Sequence, residues 1–189
     1  MNRELAFHLA ISFLPAAVMG LLLHQYIKSR LFGAEPVLWA LAVGGLFMIG
    51  IDRWMRSRPR QGQLDSLTAL HALGIGLAQC LALWPGTSRA MVTMVAGMLC
   101  GLEATAAAEY SFLLALPTLG AATLLDAVQG GPALIQQIGW LPLLIGFTTA
   151  CGVAVLAMRG LIRYLTDHGL ALFGWYRLVI AGLLWWVVR

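Results

Sequence analysis

The chain has 189 residues, of which 60% are hydrophobic and 11% are charged, and its formal net charge is +4. Charged residues make up about 25% of an average soluble domain, so this composition indicates an integral membrane protein with little room for a soluble domain. The basic residues lie between apolar stretches, where orientation in a membrane explains them. We therefore expect no nucleic-acid partner.

Seven apolar segments follow one another along the chain. They cover residues 5–23, 36–51, 67–84, 91–102, 104–128, 141–158 and 171–188. A membrane-spanning helix needs about 20 apolar residues, so not every segment is a full span. The sequence predicts an all-α, polytopic membrane helical bundle with about five full spans and one re-entrant helix pair. The whole chain, residues 1–189, forms a single transmembrane domain, and the re-entrant helix-break-helix lies at about residues 67–102.

Two basic clusters predict the orientation of these segments. The denser cluster consists of Arg53, Arg56, Arg58 and Arg60, and the second consists of Arg159 and Arg163. By the positive-inside rule both clusters face the cytoplasm. The uncharged stretch 129–139 suits a loop on the outer side, so residues 104–128 and 141–158 cross out and back.

Residues 67–102 must then cross the membrane an even number of times. Two short spans or a helix pair that enters and returns both satisfy this requirement. We favour the helix pair, because a break within the membrane is tolerated only where it is buried in protein or lines a wet cavity.

The break between these two helices carries the polar groups. Pro85 ends the incoming helix and Gly86 permits a sharp reversal. Thr87 or Ser88 can then cap a helix that starts near Arg89. The free N–H groups and the positive dipole end of such a helix favour an anion. The guanidinium of Arg89 adds a planar fork of donors that matches phosphate or carboxylate oxygens.

Acidic residues offer an alternative role for Arg89. Pairing with Glu109 or Asp126 would make the arginine a structural residue, whereas the expense of placing an arginine inside a membrane favours a functional one. Glu103 begins the next helix. Glu109 lies one to two turns further and is either solvated at the helix end or part of a site or ion pair. Thr93, one turn after Arg89, could point at the same anion site.

Several stretches resemble one known family. Residues 79–89 read QCLALWPGTSR and residues 108–117 read AEYSFLLALP. Together with residues 15–22, 43–46 and 176–177, they resemble bacterial undecaprenyl-diphosphate phosphatases of the bacitracin-resistance type. The resemblance covers essentially the whole chain.

This resemblance implies a multi-pass hydrolase of the bacterial inner membrane. It would convert undecaprenyl diphosphate to undecaprenyl phosphate and phosphate, which recycles the lipid carrier for peptidoglycan synthesis. The implied fold is an inverted repeat with two re-entrant helix pairs. Ser88 and Arg89 are then the catalytic and phosphate-binding residues, and Thr93 and Thr87 complete the phosphate site. Implied partners are the polyprenyl diphosphate, membrane lipids and a second copy of the chain.

The chain departs from the family pattern in its acidic residues. Family members carry a glutamate pair spaced four residues apart and an S-S-T-G-H segment, which supply a catalytic histidine and hold a divalent metal, Mg or Ca. Here the glutamates stand at positions 4, 35, 103 and 109, and no such segment occurs. The sequence therefore identifies neither a metal ligand nor a general base. Ala90 also replaces the serine usual after the arginine.

Three interpretations of this departure follow. In the first, which we expect to be correct, the chain is the C-terminal two-thirds of a family member whose missing motifs are encoded upstream. Alternatively, it is a lipid-carrier binding or transport protein that keeps the phosphate site and has lost hydrolysis. The third interpretation is an inactive fragment.

Overall fold

The structure is a computed structural model that describes residues 3–31, 33–56 and 61–188. Side-chain surroundings are described for all of these except residues 24–30, 56, 129, 132, 133, 166, 167 and 188. Within this part of the chain the fold is all-α and contains no strand, as predicted. The helices are α1 Arg3–Arg30, α2 Ala34–Arg56, α3 Ala69–Gln79, α4 Arg89–Leu99, α5 Ala104–Ile138, α6 Trp140–His168 and α7 Ala171–Val188, with 3-10 turns at Leu64–Ser66 and Cys80–Leu83.

Four of the described helices contain stretches that are long and apolar enough to cross a membrane. These stretches are Arg3–Leu23, Ala34–Met55, Ala104–Val128 and Trp140–Leu165. The chain is therefore a membrane protein built from α-helices. The apolar part of α7 is shorter, so the fifth full span stays a prediction.

Two helices extend further than the sequence indicated. The stretch 129–139, which we expected to be a loop, is helical through Ile138, and α5 ends only at Gly139. Likewise α6 continues through both arginines of the second basic cluster to His168. Both helices stop at a glycine with positive φ, 84° at Gly139 and 75° at Gly169, because glycine adopts this conformation without strain. Of the first basic cluster, Arg58, Arg60 and the side chain of Arg56 lie outside the described residues.

The segment that contains α3 and α4 begins and ends at the same place. Gly62 N donates to Gly101 O at 3.2 Å, and Glu103 N donates to Gly62 O at 2.9 Å. Each of the two helices has 11 residues, which gives a length of about 16 Å at 1.5 Å per residue. The segment therefore leaves this meeting point along one short helix and returns to it along the other.

The core of the bundle surrounds this helix pair. α1 packs along α3, α2 along α7, and α4 on α5. The backbones of α1 and α3 approach closely at Gly76, where an added Cβ would lie 2.5 Å from Ser12 O. The Ser12 hydroxyl donates to Ala72 O at 2.6 Å and lies 2.7 Å from the Tyr110 hydroxyl. These contacts join α1, α3 and α5 and fix the helix pair within the bundle.

Candidate functional site

The break between α3 and α4 has the local geometry that its residue types indicate. Gly86 has a φ of 90°, and Thr87 N donates to Trp84 O at 3.1 Å to close the turn. Ser88 is the N-cap of α4, and its Oγ accepts a hydrogen bond from Met91 N at 3.3 Å. The helix starts at Arg89. The predicted cap and helix start are thus confirmed.

Two other helices hold this break in place. Trp84 Nε1 donates to Pro36 O, at the start of α2, over 3.2 Å. A Cβ added to Gly86 would lie 2.7 Å from Val37 O, so only glycine allows this approach. From α7, Arg177 Nη2 donates to Gly86 O. The break is therefore held by contacts with both α2 and α7.

Arg177 is a site residue that the sequence reasoning missed. Its side chain is buried, and its Nε atom has no hydrogen-bond partner. Gly44 in α2 leaves room for the guanidinium, because a Cβ there would lie 3.3 Å from Arg177 Nη2. An arginine within the otherwise apolar stretch of α7 was the available signal, since such residues in membrane helices are rare and functional.

Arg89 stands at the start of α4 with part of its guanidinium buried. Its Nη1 atom is buried and has no hydrogen-bond partner. The suggested pairing with Glu109 or Asp126 does not form among the described residues, because both carboxylates lie exposed on α5. Glu103 is the N-cap of α5, as expected, and accepts a hydrogen bond from Thr105 Oγ1 at 2.6 Å. The donors of Arg89 therefore remain available to a ligand.

The three consecutive polar residues of the break line three different cavities. Arg89 lines a cavity of about 810 Å³ together with Gln79, between α1 and α5. Ser88 lines a cavity of about 220 Å³ together with Arg177. Thr87 lines an apolar groove of about 430 Å³ that includes Trp39. Among these three cavities, none is lined by more than one of the predicted phosphate ligands Thr87, Ser88 and Arg89.

Thr93 lies between helices and lines none of these three cavities. It is fully buried, and its hydroxyl lies 2.6 Å from Ser111 Oγ on α5. It also lies within 2.9 Å of Arg89 O and 3.2 Å of Ala90 O. Its hydroxyl thus joins α4 to α5, and its predicted contact with phosphate stays a prediction.

The electrostatics at the break favour an anion. Arg89 lines one cavity at the start of α4, and Arg177 lines another together with Ser88. The free N–H groups of the first turn of α4 add partial positive charge. In the described part of the chain, no three His, Cys, Asp or Glu side chains come together as a metal site would require. The cavity beside Arg89 has an amide and a hydroxyl but no carboxylate, so these residues do not fit a divalent cation. They fit an anionic group with an apolar remainder.

Comparisons with known proteins agree with this chemistry. The family described as Bacitracin resistance protein BacA matches residues 1–183. The chain is 51% identical to an undecaprenyl-diphosphatase of Sorangium cellulosum over 189 residues, a match that covers 98% of this chain and 62% of the relative. It is 44% identical to undecaprenyl-diphosphatase 2 of Rhodospirillum rubrum over 172 residues, with 90% of this chain and 62% of the relative covered. With an undecaprenyl-diphosphatase of Thermoanaerobacter pseudethanolicus, the identity is 41% over 181 residues, 96% of this chain and 67% of the relative.

The first two relatives are considerably longer than this chain, which spans 62% of their length. The match nevertheless includes all the residues at the break, from Trp84 to Arg89, and Arg177.

Proposed function

Because the chain belongs to the bacitracin resistance protein BacA family, we propose that it acts as a membrane phosphatase on undecaprenyl diphosphate. The products are undecaprenyl phosphate and inorganic phosphate, so the reaction recycles the lipid carrier for peptidoglycan synthesis and provides resistance to bacitracin. The proposed place of action is the inner, cytoplasmic membrane of a bacterium. The names of the relatives support this substrate.

The observation that carries the proposal is the unpartnered guanidinium at the start of α4. Hydrolysis adds the oxygen of water to the terminal phosphorus and breaks its bond to the bridging oxygen, on which negative charge grows. Stabilising that charge is the main catalytic contribution in phosphoryl transfer. Arg89, whose Nη1 is buried without a partner, is suited to this role together with the N-terminus of α4.

Ser88 supplies a hydroxyl rather than a nucleophile in this proposal. Its Oγ already accepts the hydrogen bond from Met91 N, which leaves its proton free to donate to a phosphate oxygen. A serine nucleophile needs an adjacent general base. We therefore assign to Ser88 the capping of α4, and we place its proposed contact with phosphate in the cavity that it lines with Arg177 rather than in the cavity beside Arg89.

The divalent metal, Mg or Ca, remains an expectation of the family resemblance. No part of the charge stabilisation described above depends on it, because the described residues do not form a site for a cation. An assay should nonetheless supply Mg²⁺ or Ca²⁺.

The proposed membrane arrangement follows from the helix pair. We propose that α3 and α4 enter the bilayer and return, which the meeting of Gly62 with Gly101 and Glu103 supports. The proposed partners are the polyprenyl diphosphate and membrane lipids. A second copy of the chain is a further proposed partner, and the largely exposed apolar surface of α6 would accept lipid or that copy.

Phosphate release from a polyprenyl diphosphate by the purified chain tests the proposed function. Replacing Arg89 with alanine should lower the rate by about 100-fold or more, the effect of removing a donor that stabilises developing negative charge. Arg89→Lys keeps the charge but loses the planar fork, so it should also lower the rate substantially. The control is Arg159→Ala, because Arg159 lies exposed on α6.

Two outcomes would contradict the proposal. Release that is unchanged in Arg89→Ala would remove Arg89 from the site. Binding of the diphosphate without release would support the alternative, a lipid-carrier binding or transport protein.

A further inference from the structure

Gln79, the last residue of α3, is a buried amide without a hydrogen-bond partner. Its side chain is 2% exposed, and neither Oε1 nor Nε2 has a partner. Buried polar groups in native proteins nearly always have partners, and each exception requires an explanation. An apolar side chain of the same length would avoid the desolvation cost.

The position of Gln79 suggests that explanation. It lines the same cavity of about 810 Å³ as Arg89, whose buried Nη1 also lacks a partner. The two side chains come from different helices, on either side of the break. One cavity is thus lined by two residues whose buried polar atoms lack partners, and a single ligand that reached both would satisfy them.

The remaining lining identifies the chemical class of that ligand. Apart from Gln79, Arg89 and Thr118, the residues around the cavity carry no polar side chain. Thr118 already donates its hydroxyl proton to Leu114 O. A guanidinium only donates, whereas an amide both donates and accepts. A phosphate ester with a P–OH group satisfies both side chains, and an attached apolar chain fits the remaining walls. The volume lies within the range of ligand pockets, about 300–1,000 Å³.

We propose that Gln79 is a further phosphate-binding residue, which holds the phosphate of the polyprenyl lipid jointly with Arg89 while the prenyl chain lies between α1 and α5. This inference rests on the proposed function and adds a residue outside the Pro-Gly-Thr-Ser-Arg motif. The amide nitrogen donates to one phosphate oxygen and the amide oxygen accepts from P–OH. The phosphate thereby bridges the end of α3 and the start of α4.

Binding of geranylgeranyl monophosphate to the full chain in detergent tests the assignment. Gln79→Met preserves the length of the side chain and removes both polar atoms. It should raise the Kd about tenfold, the effect of losing one net hydrogen bond to a charged group. Gln79→Glu places a negative charge beside the phosphate and should weaken binding further. The control is Thr148→Val, which lies exposed on α6 outside this cavity and should leave the Kd unchanged.

The thermal stability of the ligand-free protein shows whether Gln79→Met folds correctly. Gln79→Met should unfold at a higher temperature than the wild type in the absence of ligand, because it removes an unsatisfied buried amide. A weaker ligand affinity together with a more stable free protein excludes misfolding as the cause.

Two further probes separate the phosphate from the prenyl chain. Inorganic phosphate should bind the wild type at least about tenfold more weakly, since it leaves the apolar walls uncovered. Equal affinity would overturn the placement of the prenyl chain. Geranylgeraniol, which lacks phosphate, should bind wild type and Gln79→Met equally. A tenfold difference with this alcohol would show an effect of cavity shape and overturn the assignment.

The outcomes also distinguish this inference from the proposed function. If the wild type binds geranylgeranyl monophosphate and Gln79→Met binds it equally well, the inference is wrong and the proposed function stands. If the wild type binds neither the monophosphate nor inorganic phosphate, both are wrong.

Discussion

Helices α4 and α6 are both apolar, yet they have opposite surroundings. In α4 every residue from Met91 to Met98 is buried within the described bundle. In α6, by contrast, none of the 18 most apolar consecutive residues is buried. α4, at about 16 Å, is too short to cross a hydrocarbon core of about 30 Å. α6, with 29 residues, is long enough.

This difference shows what the apolar residues of each helix do. Those of α6 face outward, where lipid accepts them without specific packing. Those of α4 face protein on all sides, so the helix can begin in the middle of the bundle and carry Ser88 and Arg89 there. A short buried helix therefore positions the candidate site, and long exposed helices place the bundle in the membrane.

The largest expected contrast concerns glycines in the two regions. Gly76→Ala in α3 places a Cβ 2.5 Å from Ser12 O and 2.8 Å from Ser12 Cα. Because backbone atoms cannot rotate away, the free energy of unfolding should fall by about 3 kcal/mol. Gly146→Ala in α6 is the matched control, since nothing lies within 4 Å of its added Cβ. It should be neutral or stabilise the helix by up to about 1 kcal/mol. Unfolding of both variants in detergent measures the difference, and equal losses would contradict the packing of α1 on α3.

A smaller contrast concerns two arginines. Arg177→Met removes the hydrogen bond from Arg177 to Gly86 O and should lower the free energy of unfolding by about 2 kcal/mol, a typical value for a hydrogen bond to a charged group. Arg159→Met on the exposed face of α6 should change it by less than about 0.5 kcal/mol. The same unfolding assay applies.

The lysine variant separates charge from geometry at this position. Arg177→Lys keeps the charge and one donor, so it should recover part of the lost stability. If Arg177→Met proves as stable as the wild type, the hydrogen bond from Arg177 to Gly86 O does not contribute to the free energy of unfolding.

The smallest contrast concerns two threonines. Thr93→Val removes the contact between Thr93 Oγ1 and Ser111 Oγ and should cost about 1 kcal/mol of unfolding free energy. Thr148→Val in α6 removes hydrogen bonds only to carbonyls of its own helix and should cost less than about 0.5 kcal/mol. Binding of geranylgeranyl monophosphate provides the second measurement. An unchanged Kd in Thr93→Val makes Thr93 a packing residue, and a raised Kd returns it to the phosphate site.

The local structure of the break could be predicted residue by residue. Pro85, Gly86 and Ser88 end one helix, turn the chain and cap the next through interactions within a few residues. The membrane class and most helices could also be predicted, because a run of apolar residues is likewise a feature of neighbouring positions in the sequence. Helix ends were less predictable: the stretch 129–139 lacks charges and contains glycine and proline, yet its backbone continues α5 to Ile138.

The spatial grouping of the site residues could not be predicted. The sequence predicts Thr93 near the phosphate because it follows Arg89 by one turn, and that contact stays a prediction. What the sequence does not indicate is the approach of α5 on the same face, where Ser111 Oγ contacts the Thr93 hydroxyl. Gln79 and Arg177 lie in stretches that resemble the family, yet nothing near them in sequence indicates that Gln79 lines the cavity beside Arg89 or that Arg177 contacts Gly86.

Composition and short-range chemistry were sufficient to establish that this chain is an all-α membrane protein with a capped helix start at Arg89. Contacts between distant segments decided the rest, namely which cavity each polar residue lines and what holds the break. Arg177 reaches Gly86 across 91 positions of sequence, and Gln79 and Arg89 share a cavity only because α1 and α5 enclose it. Such contacts depend on how helices pack against one another, which the periodicity of a single helix does not encode.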